Sequence, residues 1–301
     1  MVFPAHAVQI GVDNNENGAM ELTVFLAVIL AAMLHATWNA MVKGDGDKHL
    51  AMAGVVIGQG VFAAPVLAFV PAPDPSSYPM IAAGIALHLG YQFFLLAAYR
   101  VGDLTQVYPL ARGSAPLIVA GISVMFLGVV LEAIQIGAIL LIGLGIISLA
   151  LVRRVDGGAN RKAAGFALAT GCFIASYSLV DGLGARQAGS ALGYYSWVAI
   201  GNGLIFVAFT AFSRMGTLRS VPRKGLRVLL IGGGASYAAY ALVVWSFTQA
   251  PIALVTALRE TSIIFALLIG VFVLRERLDL AKVLSTFLTL IGAILLRVGR
   301  S

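Results

Sequence analysis

From Glu21 to the C-terminus the chain is a succession of apolar stretches about twenty residues long, separated by short polar breaks. A helix rises about 1.5 Å per residue, so each stretch matches a hydrocarbon core of about 30 Å. Strands of a membrane barrel would be half as long and would alternate apolar with polar, and these do not. Within a bilayer the backbone must satisfy its own hydrogen bonds, which leaves helices. Composition agrees: 60% of residues are hydrophobic and 11% charged, where soluble domains carry about 25% charged residues. The chain is predicted to be an all-α integral membrane protein, one polytopic unit with almost no soluble part.

Breaks at Gly, Pro and charge clusters predict ten transmembrane helices, at 22–43, 50–70, 79–99, 104–126, 133–152, 162–182, 190–213, 226–248, 251–274 and 279–298. The clearest break is Val70-Pro-Ala-Pro-Asp-Pro75, too rich in proline to continue a helix. Residues 1–20 form a polar, unpatterned tail, without the basic front and short apolar core of a signal peptide. The sequence leaves open whether translation starts at Met1 or Met20.

A net charge of +7 and a pI of 9.8 would suggest nucleic-acid binding in a soluble protein. Here the basic residues report topology. Of twenty Lys and Arg, fifteen flank the odd-numbered loops and three lie on the other side; only Arg112 and Arg259 fall inside spans. The positive-inside bias then puts the odd loops in the cytoplasm and both termini outside, with the chain in the cytoplasmic (inner) membrane. The lipid bilayer is thus a predicted partner and nucleic acid is not. The single cysteine, Cys172, excludes an internal disulfide and is expected to fill core. Four scattered histidines without paired spacing argue against a metal site, and no cofactor is expected.

The two halves echo one another. Ala36-Thr-Trp38 in span one matches Ala175-Ser-Tyr177 in span six, the Arg112 region matches the Arg259 region, and Leu141-Ile-Gly-Leu in span five matches Leu290-Ile-Gly-Ala in span ten. Each half has an odd number of spans, so the second must lie upside down relative to the first. The expectation is two inverted five-helix repeats, 21–155 and 156–301, an architecture that lets a transporter alternate between two near-mirror states around a midplane site.

The runs Leu34-His-Ala-Thr-Trp-Asn-Ala-Met-Val-Lys43, Tyr99-Arg-Val-Gly-Asp-Leu-Thr-Gln-Val-Tyr-Pro-Leu-Ala-Arg-Gly-Ser-Ala-Pro116, Leu258-Arg-Glu-Thr-Ser262 and Leu274-Arg-Glu-Arg-Leu278 resemble the EamA-type branch of the drug/metabolite transporter superfamily. The resemblance covers nearly everything from Met20 onward. It implies ten helices in two five-helix repeats and a central cavity for a small metabolite. The halves are not interchangeable, because Asp103 is answered by Pro251 and Glu276 by no acid.

Charge inside a span is costly and marks a functional candidate. Arg259 and Glu260 sit side by side within the apolar run 251–274, and Arg112 holds the matching place in span four, bracketed by Pro109 and Pro116. A guanidinium offers a planar fork suited to carboxylate or phosphate. The competing reading is a structural ion pair between Glu260 and Arg112 across the halves. Span one carries His35, Trp38 and Asn39 at i, i+3 and i+4, and span three repeats the device with His88, Tyr91 and Gln92. Such stripes face protein, either as a cavity wall or as interhelical glue. Tyr177 with Asp181 and Tyr237 with Tyr240 add polar rings at helical spacing, the latter pair after Gly232-Gly-Gly234, where another backbone can approach. Tyr108, in the same run as Arg112, completes the candidate set. Tyr194, Tyr195 and Trp197 are expected to form an interfacial aromatic belt.

These observations point to a secondary transporter moving a small metabolite, an amino acid or another polar or amphipathic solute, by alternating access. No phosphate-binding Gly-x-x-x-x-Gly-Lys loop is present, so ATP does not drive it directly. A proton or counter-substrate is open as the coupled species, through Glu260, Asp181, His35 or His88, and the resemblance favours export. The alternatives are a cationic-drug exporter and an intramembrane enzyme using Ser114. The first would want an acid in span one, where the only deep ionisable group is His35; the second lacks a Gly-x-Ser-x-Gly elbow. Gly143, Gly145 and Gly292 could pack within one chain or between two, so a homodimer stays open.

Overall fold

The computed structural model describes residues 20–101, 104–152, 161–273 and 280–298. The tail and the positions Asp103 and Glu276 lie outside these residues, as does the side chain of Tyr108. Every regular element among the described residues is helical: α1 (Leu22–Gly44), α2 (Lys48–Val66), α3 (Tyr78–Val101), α4 (Leu104–Phe126), α5 (Ala133–Val152), α6 (Arg161–Gln187), α7 (Ala191–Ser220), α8 (Gly233–Gln249), α9 (Ile252–Arg259), α10 (Ser262–Phe272) and α11 (Leu280–Val298). Among the described residues, eight segments are long and apolar enough to cross a membrane, one of them being α9 and α10 together. Shorter apolar stretches, Ala133–Ser148 and Val283–Arg297, lie in α5 and α11. The chain is a multi-pass α-helical membrane protein.

α2 ends at Val66, four residues short of the proline-rich break where the second span was expected to stop. Asp74 then caps a short 3-10 turn, Pro75–Ser77, accepting from the Ser76 N–H at 2.8 Å. Those bonds to Ser76 hold the Asp74 carboxyl below the usual carboxylate range. Its own N–H donates to the Ala188 carbonyl, tying this loop to the end of α6. Arg186, in the last turn of α6, donates to the carbonyls of Phe247 and Ala250 at 2.8 and 3.0 Å and so closes the C-terminus of α8.

Close backbone approach explains where the glycines stand. A Cβ on Gly58 would strike the Leu229 carbonyl oxygen and lie 2.8 Å from Gly233 Cα, so α2 and the start of α8 touch backbone to backbone. The motif Gly54-x-x-x-Gly58 and the Gly232-Gly-Gly234 run therefore meet each other. Gly143, Gly145 and Gly292 pack within the chain, against Leu117, Leu288 and Ile142.

Three local features depart from a set of plain spans. α7 bends at Arg214, whose backbone is non-helical (φ −151°, ψ 54°), where the seventh span was expected to end. Beyond it, Val221–Gly225 and Val228–Gly232 are π-helical turns that lead into α8. The ninth span, expected to be continuous over 251–274, is broken: α9 stops at Arg259 and α10 starts at Ser262, with Glu260 and Thr261 between them. There the N–H groups of Glu260, Thr261, Ile263 and Ile264 bond three residues back instead of four. The tight turn pairs every one of these donors, so the break leaves no N–H of that group stranded in the interior. Cys172, expected in the core, is exposed on the outer face of α6. The helix turns its Gly171 side inward against Ser114 and the Ala111 carbonyl, which puts Cys172 on another face.

Candidate substrate site

The break at Glu260 puts the charges where they can meet. Glu260 is 1% exposed, Arg259 3% and Arg112 4%, so all three are withdrawn from the surroundings of the bundle. Arg112 Nε, from α4, donates to Glu260 Oε2 at 2.9 Å, and its Nη2 reaches Ser262 Oγ at 3.3 Å. The ion pair across the halves, posed as the competing reading, is present. On its other branch Arg112 Nη1 lies 3.1 Å from His35 Nε2. A guanidinium can only donate, so His35 Nε2 is the acceptor and the ring proton sits on Nδ1.

Arg259 is placed differently. Its Nε stands 3.9 Å from Glu260 Oε1, too far for a hydrogen bond. Arg259 Nε and Nη2 and Glu260 Oε1 have no hydrogen-bond partner among the described residues. Arg259 Cζ lies 6.0 Å from the centre of the Tyr240 ring, at the outer reach of a cation–π contact. Two arginines thus converge on one carboxylate, and one of them keeps its hydrogen-bonding edge unsatisfied.

Tyr240 joins this centre to a second one. Its hydroxyl donates to Asp181 Oδ2 at 2.8 Å, Tyr194 donates to Oδ1 at 3.2 Å, and His88 Nε2 lies 2.8 Å from Oδ2. A carboxylate accepts all three bonds, so His88 Nε2 is a donor, where His35 Nε2 is an acceptor. Asp181 is fully buried and can be reached this closely because α3 offers Gly84: a Cβ there would lie 2.6 Å from Oδ1. Around it the His88 ring stacks on Tyr177 (4.3 Å, 18°), and Tyr177 meets Tyr91 and Tyr240 edge-on at 5.7 and 5.8 Å. Tyr237 stacks on Tyr195 at 5.4 Å and shares a 2.7 Å hydrogen bond with Ser196.

Most of the residues singled out from the sequence therefore belong to one connected interior. His35 meets Trp38 edge-on at 5.0 Å, and Trp38 Nε1, like Gln92 Oε1, is buried without a partner among the described residues. Asn39 is the exception, since its amide donates back to the His35 carbonyl of its own helix at 2.8 Å. Sequence reasoning missed Tyr194, Tyr195 and Ser262. Tyr194 and Tyr195, expected in an interfacial belt, are buried, while Trp197 is 46% exposed. Two adjacent tyrosines near a helix start look the same in either place. The signal for Tyr194 lay in the facing helix, where Gly184 leaves room for its ring: a Cβ there would lie 2.5 Å from Cε2. Among the described residues no three of His, Cys, Asp and Glu gather as a metal site would need.

Fold and interior together define a polytopic helical membrane protein built around a buried charged centre. Residues 161–298 match the model of the EamA-like transporter family, so the C-terminal part of the chain is similar to that family. The motifs Leu34–Lys43 and Tyr99–Pro116 lie outside the matched stretch. No curated protein matches the chain. A solved structure described only as "Crystal structure of protein" shares its fold, with a TM-score of 0.73 and 19% identity over 91% of this chain and 97% of the other.

Proposed function

We propose that the protein is a secondary transporter that carries a small metabolite bearing a carboxylate, an amino acid or a related amphipathic solute, through a central site between two inverted five-helix repeats. The observation that carries this reading is the unsatisfied edge of Arg259. An arginine kept 3% exposed with two nitrogens unpartnered is costly in an apolar interior, and a bidentate carboxylate is the group that would satisfy it. Arg112 cannot serve equally, because Glu260, Ser262 and His35 already occupy its fork. The tyrosine rings and the open polar atoms of Trp38 and Gln92 would line the rest of the solute.

Helix pairing supports the repeat. α3 packs on α6 as α1 packs on α8, α4 meets α6 as α1 meets α9 and α10, and α2–α7 and α5–α11 are their own counterparts. A two-fold exchange of halves maps each of these pairs onto another or onto itself, the symmetry that alternating access between inverted repeats uses. The resemblance favours export across the cytoplasmic membrane, and the placement of basic residues favours the odd loops inside. A cation exporter is the weaker reading, since the carboxylate that would attract a cation, Asp181, already receives three bonds from the protein.

The test is thermal unfolding of the detergent-purified protein with amino acids, other carboxylates, phosphorylated metabolites and cationic drugs, for wild type and Arg259→Gln. A ligand bound to the folded state at a hundred times its Kd adds about 2.7 kcal/mol. The expected result is a rise in Tm with a carboxylate that disappears in the variant. Stabilisation confined to cations, or surviving in Arg259→Gln, would overturn the anchor.

A further inference from the structure

Outside the central site, a lateral groove of about 440 Å³ runs between α3 and α7 and reaches the first turn of α2. Its long wall is apolar: Phe93 and Phe209 meet edge to face at 4.7 Å, with Leu96 beside them. Its end is polar, formed by Arg214, His49 and Thr217. We propose that this groove holds one anionic phospholipid, its phosphate on Arg214 and an acyl chain along Phe93 and Phe209.

Depth fits first. Arg214 lies twenty-three residues beyond Ala191, where α7 starts. At 1.5 Å per residue that is about 35 Å, just past a hydrocarbon core of about 30 Å and level with the headgroups. The exposed apolar residues Phe209, Phe212 and Met215 surround this end of α7, so its outer surface suits acyl chains up to that level.

Charge complementarity then selects the kind of lipid. Arg214 is followed by Arg219, Arg223, Lys224 and Arg227, all exposed, and the chain has no acidic residue between Asp181 and Glu260. Asp47, the N-cap of the neighbouring α2, is committed to that cap, accepting from the N–H groups of His49 and Leu50 at 3.0 and 3.1 Å. A basic cluster at headgroup depth favours anionic over zwitterionic lipid. What distinguishes Arg214 from the other cations is the bend: its backbone leaves the helix there, beside a groove deep enough for a chain, whereas the rest lie on the outer surface beyond it.

The experiment compares phosphatidylglycerol, phosphatidylcholine with the same acyl chains, and glycerol phosphate without chains, each added to the purified full-length protein. Phosphatidylglycerol is expected to raise Tm and the other two are not; the rise should vanish in Arg214→Gln and persist in Arg223→Gln. An equal rise with phosphatidylcholine, or one that persists in Arg214→Gln, overturns the proposal. A rise with glycerol phosphate alone would mean a free-phosphate site and would overturn it too. Should Arg214→Gln fail to fold, Phe209→Trp decides: its fluorescence should be quenched several-fold more by bromine-labelled phosphatidylglycerol than by bromine-labelled phosphatidylcholine, and equal quenching contradicts the assignment.

Discussion

At the residue scale, the interior is governed by a mismatch between donors and acceptors. Arg112 and Arg259 both address Glu260, while Asp181 collects three donors. Removing one partner of a buried ion pair costs about 3–5 kcal/mol, because the other charge is left behind. Glu260→Gln should be the more damaging single change, since it strips two guanidiniums of their carboxylate, whereas Arg112→Gln leaves Arg259 within 3.9 Å of Glu260. The double variant should lose less than the sum of the two, which thermal unfolding of the four proteins would show; strictly additive losses would mean that the pair is not coupled. The charged residues of this centre were legible in the sequence because nothing else explains ionised groups in apolar runs. Ser262 was not, since a serine hydroxyl in a membrane helix commonly bonds its own backbone, nor was Tyr194, since a tyrosine near a helix start looks the same at an interface and in the interior.

At the element scale, the helices differ in how openly their sequences state their ends. The predicted bounds 104–126 and 133–152 coincide with α4 and α5, where a Gly and acidic residues interrupt the apolar run. The break after α9 carries no such mark: Arg, Glu and Thr are tolerated in helices, and only their burial around Arg112 makes a turn there worthwhile. α4 continues through Pro109 and Pro116, the two prolines that bracket Arg112. The contact of α2 with α8 gives an element-level test. Gly58→Ala would drive a methyl into the backbone of Leu229 and Gly233, neither of which can turn aside, and should cost at least about 1–3 kcal/mol. Gly137→Ala, in α5, meets nothing within 4 Å and should instead gain about 0.5–1 kcal/mol from the better helix former. Comparable Tm shifts for the two would contradict the packing described.

At the scale of the whole molecule, the most buried membrane-crossing segment, Ile252–Phe272, is also the one that is broken and charged. Its turn brings Arg112 of one half and Glu260 of the other together, and Tyr240 extends the contact to Asp181. Under the proposed alternating access this centre is reached from each side in turn, and the pairing of helices across the halves supports the proposal. The proposed repeat rests in the sequence on three weak echoes between the halves. The way they embrace was not, because which helices become neighbours depends on long-range packing that local patterns do not encode. The most direct measurement is uptake of the stabilising carboxylate into proteoliposomes, with unlabelled solute inside or absent, for wild type and Arg259→Gln. Saturable flux that is accelerated by internal solute, and reduced at least about tenfold in kcat/KM by the substitution, corresponding to about 1.4 kcal/mol or more of lost stabilisation, is the expected result. Flux with unchanged kcat/KM in Arg259→Gln would contradict a carboxylate anchored at the centre of the bundle.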